Sequence, residues 1–432
     1  MTILNARGIL PAIAVFALAG CRGVGDDPCH VVLRDPGGPP EISRLRAEAR
    51  AATHPLPYLE RLGWSFIARE AIDHDHAHFD EALAAAACME QRAPGDVDAR
   101  LLRAHALVSM HRFKEGEAVA RTLAGESSSW LASAVLGDAL LEQGLVEEAA
   151  VHYQRMADGN PGSQALSRAA HLRWLLGDRD GAIEAMAGAA AAGDPRDARA
   201  GAWYRARLAH YLLEAGRPGE ARRLIDGALA LVSGHAPSLH ARGLLLLFEG
   251  RPQEAVEPLR AAVAADPLPE YLWALQEALN ESGRADEARA VEARLVGEGE
   301  REDRRGVALY LASRGVDPAR ALRLARAELD VRQDVVTLDT VAFALLADGR
   351  IDEARDYSRR ALLLGTRAPR LALHAAAIAA AAGDATEAAS RAGEAAAMAG
   401  ALLPSERRLL ERLGAARATT TTAGRPPASR TS

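Results

Sequence analysis

Small and apolar residues return along this chain at a fixed interval. Each copy carries a small residue on an apolar stripe, then a Leu, a Gly, an Ala five positions later and a closing Pro, with a period of about 34 residues. The cleanest copy runs Leu136-Gly137, Leu140, Gly144, Ala149, Tyr153, Met156 and Pro161. A second places Gly243, Leu246, Gly250, Ala255, Leu259, Ala262 and Pro267 at the same offsets. Apolar spacing of three and four residues marks helices, and a Gly between two such stretches ends the first one in the left-handed conformation at little cost. The pattern therefore predicts antiparallel helix pairs from residue 57 onward. Weaker copies follow Ala170, Gly177 and Ala182; Leu208, Gly216 and Ala221; Leu275, Gly283 and Ala288; and Val341, Gly349 and Ala354, while residues 300–333 are degenerate. An Ala-rich unit around Gly383 and a capping helix at Ser405–Ala416 complete the array, and 417–432 reads as a disordered tail.

This succession resembles the tetratricopeptide repeat. The resemblance covers residues 57–416 and implies an all-α fold, an α-solenoid of about nine helix pairs in a right-handed superhelix. It also implies that the first helix of each pair lines a concave groove. Carried onto this sequence, that geometry places His105, His171, Trp174, Trp203, His210, His240, Phe248 and Trp273 in or beside the groove. Flat, amphipathic side chains with few rotors dominate binding hot spots, although large residues on helices also serve as inter-repeat core.

The N-terminus carries a second signal. Arg7 precedes an apolar run from Ile9 to Leu18, too short to span a bilayer but suited to a signal-peptide core. Its Leu18-Ala19-Gly20-Cys21 end resembles the bacterial lipoprotein box. That resemblance implies removal of 1–20, a lipid on Cys21 and a cell-envelope location, with Arg22 pointing to the periplasmic face of the outer membrane. Residues 21–56, broken by Gly23, Gly25, Pro28, Pro36, Gly37, Gly38, Pro39 and Pro40, read as a tether, with a short helix within Glu41–Ala52. Cys29 and Cys88 could pair in an oxidising compartment. Because Cys29 falls in the leader and Cys88 in an Ala-rich helix, a buried, unpaired Cys88 is the expectation.

Composition limits the chemistry further. The chain has 432 residues, 49% hydrophobic, 25% charged and 4% aromatic, with a net charge of -6 that gives no electrostatic case for nucleic acid. No nucleophile elbow, zinc-protease helix, Cys pair or phosphate loop is present, and the array leaves no room for a separate catalytic domain. A non-enzymatic binding protein without cofactor is the expectation. The one metal-like cluster holds His74, His76 and His78 among Asp73, Asp75 and Asp80, with His74 and His78 spaced to share a helix face. A solvated loop is the favoured reading of it. The expected role is a scaffold that binds a protein or peptide in its groove; the alternative is capture of a glycan, small molecule or metal in the same concavity. Groove shape discriminates: a long open channel suits a peptide, whereas a bounded pocket with converging polar groups suits a small ligand.

Overall fold

A computed structural model describes residues 27–126 and 129–423. Segment 1–20, Cys21, where lipidation is expected, and residues 424–432 lie outside the described residues. Within them every regular element is helical. The chain opens with α1 (Pro28–Leu33) and α2 (Pro40–Ala51), and ten antiparallel pairs follow. These are α3 (Leu56–Asp73) with α4 (Ala77–Arg92), α5 (Val97–Ser109) with α6 (Phe113–Glu126), α7 (Trp130–Glu142) with α8 (Val146–Gly159), and α9 (Ser163–Leu175) with α10 (Arg179–Ala192). Next come α11 (Ala198–Glu214) with α12 (Pro218–Leu231), α13 (Ala236–Phe248) with α14 (Pro252–Ala265), and α15 (Pro269–Glu281) with α16 (Ala285–Glu302). The last three are α17 (Arg304–Arg314) with α18 (Pro318–Leu329), α19 (Val335–Ala347) with α20 (Ile351–Leu362), and α21 (Pro369–Ala381) with α22 (Ala385–Ala396). A short 3-10 turn, Ala399–Ala401, leads into the capping helix α23 (Pro404–Ala423).

The fold is thus an all-α solenoid of tetratricopeptide-like pairs, ten where the sequence pattern suggested about nine. The degenerate stretch makes a full pair, with Gly315 left-handed at φ 63° and the Asp317 side chain accepting from the Arg320 amide to start α18. Small residues let the helices of a pair approach. A Cβ on Gly137 would stand 2.6 Å from Cε1 of Tyr153, and one on Gly243 would stand 2.3 Å from Cγ of Leu259. Leucines such as Leu136 and Leu140 are fully buried beside these contacts, each contributing roughly 1.5–3 kcal/mol relative to exposure.

Residues 28–51 differ from the expected tether. Val32, Ile42 and Leu45 are buried against the first pair, and Arg46 crosses the same core, donating its Nε to the Val32 carbonyl (3.1 Å) and an Nη to Glu81 (2.6 Å). Cys29 and Cys88 are joined by a disulfide, their Cα atoms 4.7 Å apart. The expectation of an unpaired Cys88 is therefore corrected. Docking of α1 on α4 carries Cys29 to the buried face of the Ala-rich helix, where no bulky side chain holds the two sulfurs apart.

The superhelix winds tightly enough to meet itself. Gln333, between α18 and α19, donates its amide to the carbonyl of Glu142 at the end of α7 (2.8 Å). One pair further on, the Thr366 hydroxyl donates to the Leu175 carbonyl at the end of α9 (2.5 Å), and Gly177 lies so close to Gly365 that a Cβ there would come within 2.3 Å of its carbonyl oxygen. Further along, Gly400 packs on the Leu213 carbonyl, and an Arg407 Nη donates to the Leu247 carbonyl (2.9 Å). Backbone and side-chain contacts thus form a seam joining the turns of early pairs to the loops of late ones, and the concave groove is bounded along it.

Candidate binding chamber

The seam borders a partly open cavity of about 870 Å³, lined mainly by first helices α9, α11, α13 and α15 and by the Gln333–Asp339 and Leu363–Leu371 segments. Six of the eight residues expected at the groove border it: His171, Trp174, Trp203, His210, His240 and Trp273. Their spacing on successive first helices explains why: each repeat offers the same helix face to the inside. The other two are elsewhere. His105 sits against Trp64 with ring centroids 5.2 Å apart, between pairs, and Phe248 stands at the seam beside Gly400, 37% exposed.

The tryptophans are not equivalent. Trp174 is 7% exposed; its indole N–H donates to Oε2 of the buried Glu214 (2.7 Å), and its ring stacks with His171 and Tyr211. Trp273 is 3% exposed, donates to Oε1 of Glu277 (3.2 Å), and lies beneath the Arg370 guanidinium at 5.3 Å. Both indole N–H groups are therefore spent inside the wall, and both rings are packed within it. Trp203 is 44% exposed and packs edge-on against Tyr204, while exposed Leu145 and Leu363 border the same space.

Charged groups converge on the chamber. Arg305 pairs with Asp334 at 3.1 Å, Arg370 with Glu406 at 2.5 Å, and Arg332, just outside, with Glu328 at 2.5 Å. Burial alone would raise Asp334, but the Arg305 charge and hydrogen bonds from Thr337 outweigh it and hold the carboxyl below its usual range. Arg207 differs from these guanidiniums: an Nη meets Nδ1 of His171 at 3.3 Å and the guanidinium lies over the Tyr211 ring at 5.1 Å, with no carboxylate at ion-pair distance among the described residues. Burial and then the Arg207 charge push His171 down to about 3, and burial pushes His240 down to about 4, so both imidazoles are neutral at physiological pH. Asp339 accepts from or shares a proton with Nδ1 of His374 (2.7 Å), but that imidazole is 1% exposed and stacked on Phe343 at 3.7 Å, which bars it from exchanging a proton with a ligand. The arrangement can bind and orient; it presents no activated nucleophile.

Sequence reasoning missed Arg207, Glu214, Arg305, Asp334 and Arg370. Arg207 had a legible signal, because it lies four residues after Trp203 and three before His210, on their helix face. Arg305 and Asp334 had none, since the degenerate repeat hid the register that carries them inward.

The histidine cluster is split by a break in the helix. His74 is left-handed at φ 55° and ends α3, whereas His78 belongs to α4, so the two do not share a helix face. His78 is held between Oε2 of Glu81 (2.9 Å) and Oδ2 of Asp73 (3.3 Å), His76 faces Glu70 at 3.2 Å, and His74 is 3.8 Å from Asp266. No group of three or more metal-ligating side chains converges among the described residues.

A helical-repeat solenoid with an internal chamber is the class these observations define. No protein family matches the chain by sequence profile, and no curated protein matches it. Its fold is similar to that of several solved tetratricopeptide-type proteins. Yeast Tom70 is 14% identical over 89% of this chain and 93% of its own, with a TM-score of 0.35. A tetratricopeptide repeat protein of Parabacteroides merdae is 10% identical over 67% and 98%, with a TM-score of 0.38. The human IFIT1 dimer with PPP-AAAA is 12% identical over 87% and 95%, with a TM-score of 0.46.

Proposed function

We propose that this protein is a non-enzymatic binding protein of the bacterial envelope that captures its ligand inside the solenoid, and that Cys21 anchors it to the membrane through a lipid. The observation that carries the reading is the seam. The Gln333 amide on the Glu142 carbonyl, the Thr366 hydroxyl on the Leu175 carbonyl and the close approach of Gly177 to Gly365 bound the groove, which suits a small ligand better than a through-running peptide. Aromatic faces supply apolar contact, and the fixed Arg–carboxylate pairs hold the walls in one geometry before the ligand arrives, so little ordering is lost on binding. The Cys29–Cys88 disulfide supports export, because such bonds persist in oxidising compartments.

A thermal-shift screen of the full-length protein against a small-metabolite library tests the reading, with Trp203→Arg as a variant that obstructs the chamber. The reading expects at least one small ligand to raise the melting temperature of the native chain and not that of the variant. It is overturned if no compound acts while a protein partner is retained equally by both. The anchor is tested separately: Cys21→Ala should release the protein from the membrane fraction, and retention at normal mature size would contradict it.

A further inference from the structure

We propose that the chamber takes a singly charged aromatic carboxylate, its carboxylate seated on Arg207 and its flat body against the Trp203 ring. This rests on the chamber being the binding site and specifies what enters it.

Three observations point the same way. Arg207 projects into the chamber from α11 beside the His171 imidazole and the Tyr211 side chain, with no carboxylate at ion-pair distance among the described residues, whereas Arg305 and Arg370 each hold a carboxylate. A guanidinium has five donors in a planar fork that fits a carboxylate through two parallel bonds, so most of its hydrogen-bonding capacity is unused here. Second, Trp203, 44% exposed and one helical turn before Arg207 on α11, offers an open aromatic ring suited to a flat apolar body. Third, the carboxylates of Glu214, Glu270, Asp334 and Asp339 line the same space. Arg207, Arg305, Arg360 and Arg370 line it as well, so the charges are close to balanced, and a singly charged carboxylate disturbs that balance less than a phosphate ester.

Calorimetry on the purified full-length protein tests this with indole-3-acetate, indole-3-acetamide, tryptamine and phenyl phosphate as probes, together with a short peptide ending in Trp, free or amidated at its C-terminus. The acid should bind, and loss of its charge in the amide should weaken binding by about tenfold or more, equivalent to about 1.4 kcal/mol. Arg207→Gln should cost a similar factor while the acid-to-amide difference disappears. If the free-ended peptide binds and the amidated one does not, the same carboxylate comes from a chain end; if only the free acid binds, it comes from a small molecule. The proposal is overturned if the amide or the amine binds as tightly as the acid, if phenyl phosphate binds tighter, or if none of the probes binds. Binding of some other library compound in the chamber would then leave the broader reading standing, whereas absence of any chamber ligand would remove both.

Discussion

Gly177 and Gly250 occupy equivalent turns, each ending the first helix of a pair with a left-handed backbone, φ 77° and φ 72°. Changing either to Ala forces a Cβ into that conformation, at a cost of roughly 1–2 kcal/mol. Only one of the two meets the seam. A Cβ on Gly250 has nothing within 4 Å, whereas one on Gly177 would lie 2.3 Å from the Gly365 carbonyl oxygen, with the Gly365 carbonyl carbon at 3.2 Å. Backbone cannot rotate aside as a side chain can, so the turn must shift or the seam must part, adding about 1–3 kcal/mol as overpacking does. Gly177→Ala should therefore unfold at lower urea than Gly250→Ala, and small-angle scattering should show it expanded. Equal urea midpoints and equal radii for the two variants would refute the idea that the solenoid closes on itself.

Three further outcomes are expected. Trp174→Ala should cost about 3–5 kcal/mol in urea melts, because it empties a buried site and strips Glu214 of its donor, whereas Trp203→Ala, 44% exposed, should cost well under half as much. Cys29→Ser should destabilise the N-terminal pair by as much as about 4 kcal/mol on the chain-entropy estimate for a separation of 59 residues, seen as earlier protease cleavage between α1 and α4. His171 near 3 and His235 and His240 near 4 lie below the 6.5 of a free imidazole, so the unfolded chain binds more protons through that window. Stability should then fall as pH drops below about 6.5, by roughly 1.4 kcal/mol per pH unit for each such histidine, opposed by the raised His78, Glu60 and Glu142, and a urea midpoint unchanged between pH 7 and pH 5 would contradict it.

The repeats were legible because their signals are local. Gly137 and Tyr153, or Gly243 and Leu259, lie on the two helices of one pair, and the spacing of small and large residues reports their contact directly. The seam was not legible, since Gly177 and Gly365 read as ordinary helix-ending glycines and nothing near Glu142 announces Gln333. Six chamber residues followed from the helix face shared by successive repeats, while the pairing of Arg305 with Asp334 depended on a register that the degenerate repeat concealed. The packed N-terminal helices left a trace that prolines and glycines around it obscured: Ile42, Leu45 and Ala49 keep helical spacing and form one buried face.

The central claim, that the chain closes into a chamber, is tested most directly by the distance across the seam. Spin labels at Leu176→Cys and Leu363→Cys, both exposed positions flanking the Gly177–Gly365 contact, would report it in the full-length protein. A closed solenoid predicts a single narrow distribution at short distance, present before any ligand is added. A long or broad distribution, as an open spiral would give, would contradict the account.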